Sequence, residues 1–361
     1  MGSKKIKNLK FRTYISTFFL WFALIILAQA PEGYYDDAIG KKDAALKTAL
    51  HNVIYKAGST NTNSIPSYRS GKYSAAATFF ETADRTADGY IWDMYSTKRC
   101  ERWSGCGLNR EHNLPKSWFG IAGGSEDRES IGCDYHNLYP SDASANSAKS
   151  NYPLGETTSP SYNNGVVKVG PNAFSGYNGT VFEPADEYKG DFARCYLYMV
   201  TCYEHYASRW VSTGTASMLQ NNTYPTLRPY AVNLLLKWHR NDTVSIKEKE
   251  RNNAVYTAQG NRNPFVDFPE LAEYIWGNQK GKAWGRNDFY VGYDKEEKTL
   301  YVELNGSISA EYIVYNISGV AVLAHKFHSD STINLSQFPK GVYIILVYNE
   351  AKREARKVFI N

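Results

Sequence analysis

Two short segments of the 361-residue sequence carry the side chains best suited to hydrolytic chemistry. The first contains the adjacent residues Glu111 and His112, and the second runs from Asp134 to Asn146 and a few residues beyond. A carboxylate and an amide are oxygen ligands that suit a hydrated Mg²⁺ ion, whereas zinc would require more histidine or cysteine. A neutral histidine can take a proton from an attacking water molecule. These residue types predict phosphodiester hydrolysis with one divalent cation.

Particular elements are needed to bring these residues together, because 34 positions separate His112 from Asn146. Adjacent residues on an extended strand face opposite sides, so Glu111 and His112 can share a site only at a strand end, where the chain turns towards Pro115. Pro140 suits the first position of a helix, since its missing N–H is not needed there. Asn146 would lie on that helix. The sequence therefore predicts a strand–loop–strand–helix unit.

The segments around these residues form ordered motifs. They read Asn-Arg-Glu-His-x-x-Pro-x-Ser-Trp-Phe from Asn109, Asp-x-His-Asn-Leu-x-Pro from Asp134 and Asn-x-x-x-Ser-Asn from Asn146. Further matching segments lie at residues 92–96, 190–199 and 259–267. Together they resemble the endonuclease I family of secreted, non-specific nucleases. The resemblance covers most of residues 31–280 and implies a ββα-metal (His-Me finger) active site.

The resemblance also implies roles for individual residues. It makes His112 the general base and Glu111 and Asn146 the ligands of one Mg²⁺ ion, with Ca²⁺ or Mn²⁺ as other cations for the same site. The family places an arginine near the scissile phosphate, for which Arg128 is the candidate. Lys149 stands where the family usually has arginine, and a lysine neutralises a phosphate without bidentate geometry.

Two other residues have alternative interpretations. His136 either orients a metal ligand through a hydrogen bond or is a structural histidine. Arg194 lies on a segment with helical periodicity that faces the core, so it either contacts phosphate or forms a structural ion pair or helix cap.

The predicted function is a secreted, Mg²⁺-dependent endonuclease that degrades DNA, and also RNA, mainly through contacts to phosphates. One alternative is a secreted nucleic-acid-binding or surface-attachment protein with an inactive nuclease core, against which Glu111, His112 and Asn146 argue. A phosphodiesterase of small nucleotides is a further alternative. We expect a monomer without a stable protein partner.

The first thirty residues predict export. Five basic residues between Lys4 and Arg12 precede an apolar run at 18–27 and then Ala28-Gln29-Ala30, which is the order of a signal peptide. An uncleaved membrane anchor is the alternative, but the apolar run is short for a bilayer. These five residues account for the whole formal net charge of +5, because no acidic residue lies among the first thirty. The remaining chain is formally neutral, so its bulk charge does not indicate a partner.

Export makes disulfides possible among the five cysteines. Cys195 and Cys202 cannot pair, because two helical turns separate them by about 10 Å. Cys100 and Cys106 could close a short loop, and Cys133 could pair with any of the others. The odd number leaves at least one thiol unpaired within the chain. Five free, buried thiols are the alternative.

The order of helical and strand patterns along the sequence predicts an α+β protein. Residues 31–280 form a mostly helical nuclease domain with the embedded ββα-metal motif, 281–297 a linker and 298–361 a small antiparallel β-sandwich. Within the nuclease domain, helical periodicity covers 43–54, 183–209, 228–240 and 244–258, and surface loops are expected at 58–71 and 155–180.

The C-terminal segment has a resemblance of its own. Val314 to Val320 and Leu335 to Tyr343, together with the position at the end of the chain, resemble the sorting domain of the type IX secretion system of Bacteroidetes. This resemblance implies export across the outer membrane and the export machinery as a partner. A carbohydrate- or surface-binding sandwich is the alternative.

Overall fold

The computed structural model describes residues 30–31, 33–60, 70–121, 129–285, 288–294, 297–305, 309–328, 331–349 and 353–360. Arg128 and all of the predicted signal peptide except Ala30 lie outside these residues. Within the described part of the chain, no helix combines the length and apolar character needed to cross a membrane.

Eight α-helices lie in the described part of the chain up to residue 285. They are α1 (Asp43–Thr60), α2 (Ser70–Thr82), α3 (Ala143–Lys149), α4 (Lys189–Cys202), α5 (Pro229–Asn241), α6 (Ile246–Gln259), α7 (Pro264–Asp267) and α8 (Leu271–Ile275). Helix α4 is the centre of this domain, since every residue from Gly190 to Cys202 is buried. Apolar and aromatic side chains surround the whole of α4, which is typical of a helix enclosed on all sides. Helices α1, α5 and α7 pack against it.

The predicted ββα unit is present. Strand β1 (Leu108–His112) pairs antiparallel with β2 (Leu138–Asp142), and α3 follows β2 directly. Helix α3 begins after Asp142, whose carboxylate accepts hydrogen bonds from two backbone N–H groups of the first turn. Pro140, expected at the first helical position, instead lies within β2. The aspartate N-cap, which satisfies N–H groups at the helix start, therefore sets the boundary.

A small three-stranded sheet occupies part of the segment predicted as a surface loop at 155–180. Its strands are β3 (Tyr162–Asn163), β4 (Lys168–Pro171) and β5 (Thr180–Glu183), in the order β3–β4–β5. Val169 and Phe182 of these strands are buried in the nuclease core. The helix predicted from residue 183 begins only at Lys189, because the chain first completes β5.

The C-terminal part is an antiparallel β-sandwich, as expected. Its strands are β6 (Asp288–Asp294), β7 (Thr299–Asn305), β8 (Ala310–Asn316), β9 (Ala321–Phe327), β10 (Ser331–Asn334), β11 (Gly341–Tyr348) and β12 (Arg353–Ile360). They form sheets of order β10–β7–β6 and β12–β11–β8–β9 around a separate apolar core. Strand β6 lies within the predicted linker at 281–297, because alternating Phe289 and Val291 are buried in that core. The predicted α+β class, with a mainly helical first domain that contains the ββα unit, is confirmed.

Candidate active site

One pocket, with a volume of about 560 Å³, contains the residues that the sequence assigned to chemistry. Glu111 and His112 from β1 and Asn146 from α3 all line it. The ββα unit thus brings together side chains that are far apart in the sequence. A volume of this size is within the range of about 300–1,000 Å³ that small-molecule pockets occupy.

The end of β1 explains how two adjacent residues share one pocket. Glu111 lies opposite Tyr139 and His112 opposite Leu138, and His112 is the last residue of the strand. Beyond it the chain leaves the extended conformation, so the alternation of side chains no longer separates the two. Both side chains are buried.

The His112 ring is held by a backbone carbonyl. Its Nε2 lies 2.7 Å from the carbonyl oxygen of Gly132, in a 3₁₀ turn formed by Ser130–Gly132. A carbonyl only accepts hydrogen bonds, so Nε2 carries the proton and Nδ1 is the basic nitrogen of the neutral ring. The Phe119 ring packs edge-on against the imidazole at 5.9 Å between centroids.

Lys149, the last residue of α3, joins the helix to β1. Its buried ammonium donates hydrogen bonds to Glu111 Oε1 at 2.6 Å and to the His112 carbonyl oxygen at 3.2 Å. Burial raises the pKa of the Glu111 carboxyl, and the charge of Lys149 opposes that rise. Lys149 is therefore an internal counter-charge of the carboxylate in this structure.

Asn137 holds the loops around the ββα unit together. It lies within the motif, but no role was predicted for it from the sequence. Its side chain accepts from the N–H of Leu114 at 2.7 Å and donates to the carbonyl of Leu114 at 3.1 Å. Its own carbonyl accepts from the N–H of Asn113. These bonds tie the chain leaving β1 to the chain entering β2. A buried asparagine beside a predicted site was the signal available in the sequence.

Asp93 supports the start of α3 from outside the unit. Its carboxylate accepts from the Tyr95 N–H at 2.8 Å, the Ser96 hydroxyl at 2.6 Å and the N–H of Asp142 at 3.1 Å. Burial raises the pKa of Asp93 to about 6. Because Asp142 is the N-cap of α3, Asp93 helps to position the helix that carries Asn146.

His136 and Arg194 lie elsewhere. Both line a second, small cavity of about 20 Å³ rather than the pocket of Glu111. Burial holds the pKa of His136 well below its usual range, so its ring is neutral, and Nε2 lies 3.3 Å from the carbonyl oxygen of Asn261. The Arg194 guanidinium makes a bidentate ion pair with Glu248, the longer of the two bonds being 2.8 Å. These contacts are of the kind that the structural interpretation of each residue predicts.

Two basic residues that the sequence did not single out line the same pocket as Glu111 and His112. Arg110 precedes Glu111 in β1, and Lys116 follows Pro115 in the same motif. They supply positive charge to the pocket wall, where a polyanion would need it. Their place between assigned motif positions was the signal that could have found them.

The pocket offers few oxygen ligands for a hard cation. Glu111 Oε1 accepts a hydrogen bond from Lys149, and the Asn146 side chain, which also lines the pocket, carries an amide oxygen. Among the described residues no group of three His, Cys, Asp or Glu side chains is placed to hold a metal. Such a donor set fits a cation that keeps most of its water, as Mg²⁺ does, and does not fit zinc.

The cysteines divide into one disulfide and three thiols. Cys100 and Cys106 are joined, as the sequence allowed, and close a loop at the edge of the pocket. Cys133, Cys195 and Cys202 are buried and belong to no disulfide. Cys195 and Cys202 lie in α4 and are not paired with each other, as expected.

Comparison with known proteins gives two family matches. Residues 43–270 match the family model of endonuclease I, and residues 296–361 match the secretion system C-terminal sorting domain. An extracellular ribonuclease of Bacillus amyloliquefaciens is 34% identical over 261 residues, which are 70% of this chain and 81% of the relative. An extracellular ribonuclease of Bacillus subtilis (strain 168) is 31% identical over 255 residues, 67% of this chain and 78% of the relative. A solved immunoglobulin-like β-sandwich from Bacteroides vulgatus covers 22% of this chain and 89% of its own at 14% identity, with a TM-score of only 0.19.

Proposed function

Because the chain belongs to the endonuclease I family, we propose that it is a sequence-non-specific endonuclease that hydrolyses phosphodiester bonds of DNA and RNA with one Mg²⁺ ion. The observation that carries this proposal is the meeting of Glu111, His112 and Asn146 at one pocket. Family membership itself makes the chain a nuclease, and the C-terminal sorting domain makes it a secreted or cell-surface protein.

RNA belongs among the proposed substrates because both Bacillus relatives are named extracellular ribonucleases. The basic residues of the pocket, Arg110 and Lys116, are suited to phosphate oxygens. Phosphate contacts depend on neither the base nor the 2′ position of the sugar, so one pocket serves both polymers.

In the proposed reaction His112 is the general base. Its Nε2–H donates to the Gly132 carbonyl, and Nδ1, the basic nitrogen of the neutral ring, takes the proton from the attacking water. The same carbonyl fixes the orientation of the ring and stabilises the imidazolium formed by that transfer. The water oxygen attacks phosphorus, and the 3′ oxygen departs.

Glu111 and Asn146 are the proposed ligands of the cation. A bound Mg²⁺ supplies positive charge that stabilises the transition state and the leaving oxygen. Mn²⁺ and Ca²⁺ accept the same kind of oxygen ligand and are expected to bind as well. Arg128, which lies outside the described residues, remains the proposed contact to the scissile phosphate. Removal of residues 1–30 as a signal peptide is part of the same proposal.

The test is cleavage of supercoiled plasmid and of RNA by the purified chain from residue 31 onward, in Mg²⁺ or in EDTA. We expect cleavage in Mg²⁺, none in EDTA, and a fall of about 10²-fold or more in His112→Ala. His205→Ala is the matched control, because His205 is an exposed histidine outside the pocket. Undiminished cleavage in EDTA or in His112→Ala would overturn the mechanism. Binding of nucleic acid without any turnover would favour the alternative of an inactive core.

A further inference from the structure

Trp103 lies in the wall of the catalytic pocket, together with Glu111 and His112. Its side chain is half-buried, whereas the six other described tryptophans are all buried. An indole held partly in solvent next to charged residues gains little from the hydrophobic effect, which favours full burial. Its position is therefore better explained by a ligand that covers it.

The surroundings of Trp103 hold it in place. It lies in the loop closed by the Cys100–Cys106 disulfide, and its backbone N–H donates to Glu81 Oε1 at 2.5 Å. The Phe80 ring packs against it at 5.4 Å between centroids. A side chain fixed before binding loses little conformational entropy when a ligand arrives.

Arg110 adds a second flat group to the same wall. Its guanidinium carbon lies 5.3 Å from the centroid of the Trp103 ring, and both residues line the pocket. Nucleobases stack on aromatic rings and on arginine guanidinium planes alike. Arg110 also directly precedes Glu111 in β1, so the pair lies next to the groups proposed for catalysis.

We infer that Trp103 and the Arg110 guanidinium over its ring together form a stacking platform for an unpaired nucleobase beside the scissile phosphate. The inference rests on the proposed nuclease function and adds to it a preference for single-stranded DNA or RNA over a duplex. In a duplex each base face is covered by its neighbours, so only an unpaired base can offer a face to Trp103. Every base has such a face, and stacking therefore adds strand preference without sequence specificity.

The experiment compares Trp103→Ala and Trp103→Phe with the unaltered chain. The substrates are one labelled oligonucleotide as a single strand and the same sequence in a duplex, and kcat/KM is measured for each. For Trp103→Ala we expect a fall of about 10-fold on the single strand and less than about 2-fold on the duplex. Trp103→Phe should restore most of the loss. Retained duplex cleavage shows in the same assay that Trp103→Ala is folded.

The matched control is Tyr90→Ala. Tyr90 is also a half-buried aromatic residue under an arginine, since the Arg99 guanidinium lies 4.0 Å from its ring centroid, but it does not line the pocket. Tyr90→Ala should leave the ratio of single-strand to duplex cleavage unchanged. Equal losses on both substrates in Trp103→Ala, or no loss on either, would overturn the inference.

A substrate lacking the base provides a second arm. On a single strand with an abasic site beside the cleaved bond, the unaltered chain should slow to the rate of Trp103→Ala, and the variant should lose nothing more. If the abasic site lowers the rate of Trp103→Ala as much as it lowers the rate of the unaltered chain, the base does not stack on Trp103. Fluorescence anisotropy in EDTA measures binding of the single strand without cleavage. It therefore tests the stacking platform separately from the nuclease function. If the unaltered chain does not cleave, the nuclease proposal fails. The platform is then judged by binding alone: weaker binding of the single strand by Trp103→Ala supports it, and equal binding overturns it.

Discussion

The Lys149 ammonium lies 2.6 Å from Glu111 Oε1 and donates a second hydrogen bond to the carbonyl oxygen of His112. An ammonium is a compact charge that contacts one carboxylate oxygen, whereas an arginine fork tends to take both. Lysine at this position therefore favours the ionised form of Glu111 and contacts only one of its two carboxylate oxygens.

Lys149→Met should move the acid limb of the pH–rate profile to higher pH. The pKa of Glu111 is raised by burial and lowered by Lys149, so loss of the ammonium raises it further. A cation ligand must be ionised, and activity is lost as the pH falls through that pKa. The measurement is kcat/KM against pH at saturating Mg²⁺. Lys149→Arg, which keeps the charge, should keep the acid limb near its original position, and an unchanged profile in Lys149→Met would contradict the assignment.

Arg194→Met should lower stability rather than substrate binding. Removing one partner of its buried pair with Glu248 leaves an uncompensated charge, at a cost of about 3–5 kcal/mol in the free energy of unfolding. Urea denaturation measures this loss. Arg240→Met is the matched control, because Arg240 pairs with Glu273 at the surface, where the loss should be below about 1 kcal/mol. A higher KM with unchanged stability in Arg194→Met would instead indicate that Arg194 contacts phosphate.

Asp93→Asn should change how stability depends on pH. The folded-state pKa of Asp93 is raised to about 6, above the value of about 3.9 in an unfolded chain, so ionisation disfavours the folded state. This destabilisation of the folded state by ionised Asp93 is absent below about pH 4 and complete above about pH 6. Relative to the unaltered chain, the variant should therefore gain about 3 kcal/mol between pH 4 and pH 7.

Urea unfolding at several pH values checks the prediction for Asp93. The exposed Asp88 provides the control, because its hydrogen bond to Thr86 and the charge of Arg99 lower its pKa. Asp88→Asn should show no gain as the pH rises. A pH dependence in Asp93→Asn that runs parallel to that of the unaltered chain would show that Asp93 does not titrate in this range.

Binding of DNA should depend only moderately on salt. The net charge of +5 lies entirely within the first thirty residues, so the exported chain has no general positive field. We expect its attraction for a polyanion to be strongest at the pocket, where Arg110 and Lys116 lie. The slope of log K against log[NaCl], measured in EDTA, should be shallower than that for about six neutralised phosphates. A steeper slope would indicate a basic surface outside the pocket.

The meeting of Glu111, His112 and Asn146 could be predicted because each lies in a dense motif and a ββα unit needs few elements. Helices α1, α4, α5 and α6 and the C-terminal sandwich also followed from periodicity, whereas α2 was not predicted. Strands β3 to β5 could not, since segments of two to four residues have no measurable period and form through distant partners. Trp103 was missed for a related reason, because only the folded loop brings it to the wall of the pocket.

The distribution of the cysteines has a consequence for the order of oxidation during export. Cys100 and Cys106 are six positions apart, so they meet at a small loss of chain entropy. Formation of α4 separates Cys195 from Cys202 by two turns, and packing of the core then encloses both, together with Cys133. Local contacts thus select the native pair before distant thiols compete. The chain can reach its final oxidation state without a step of disulfide exchange.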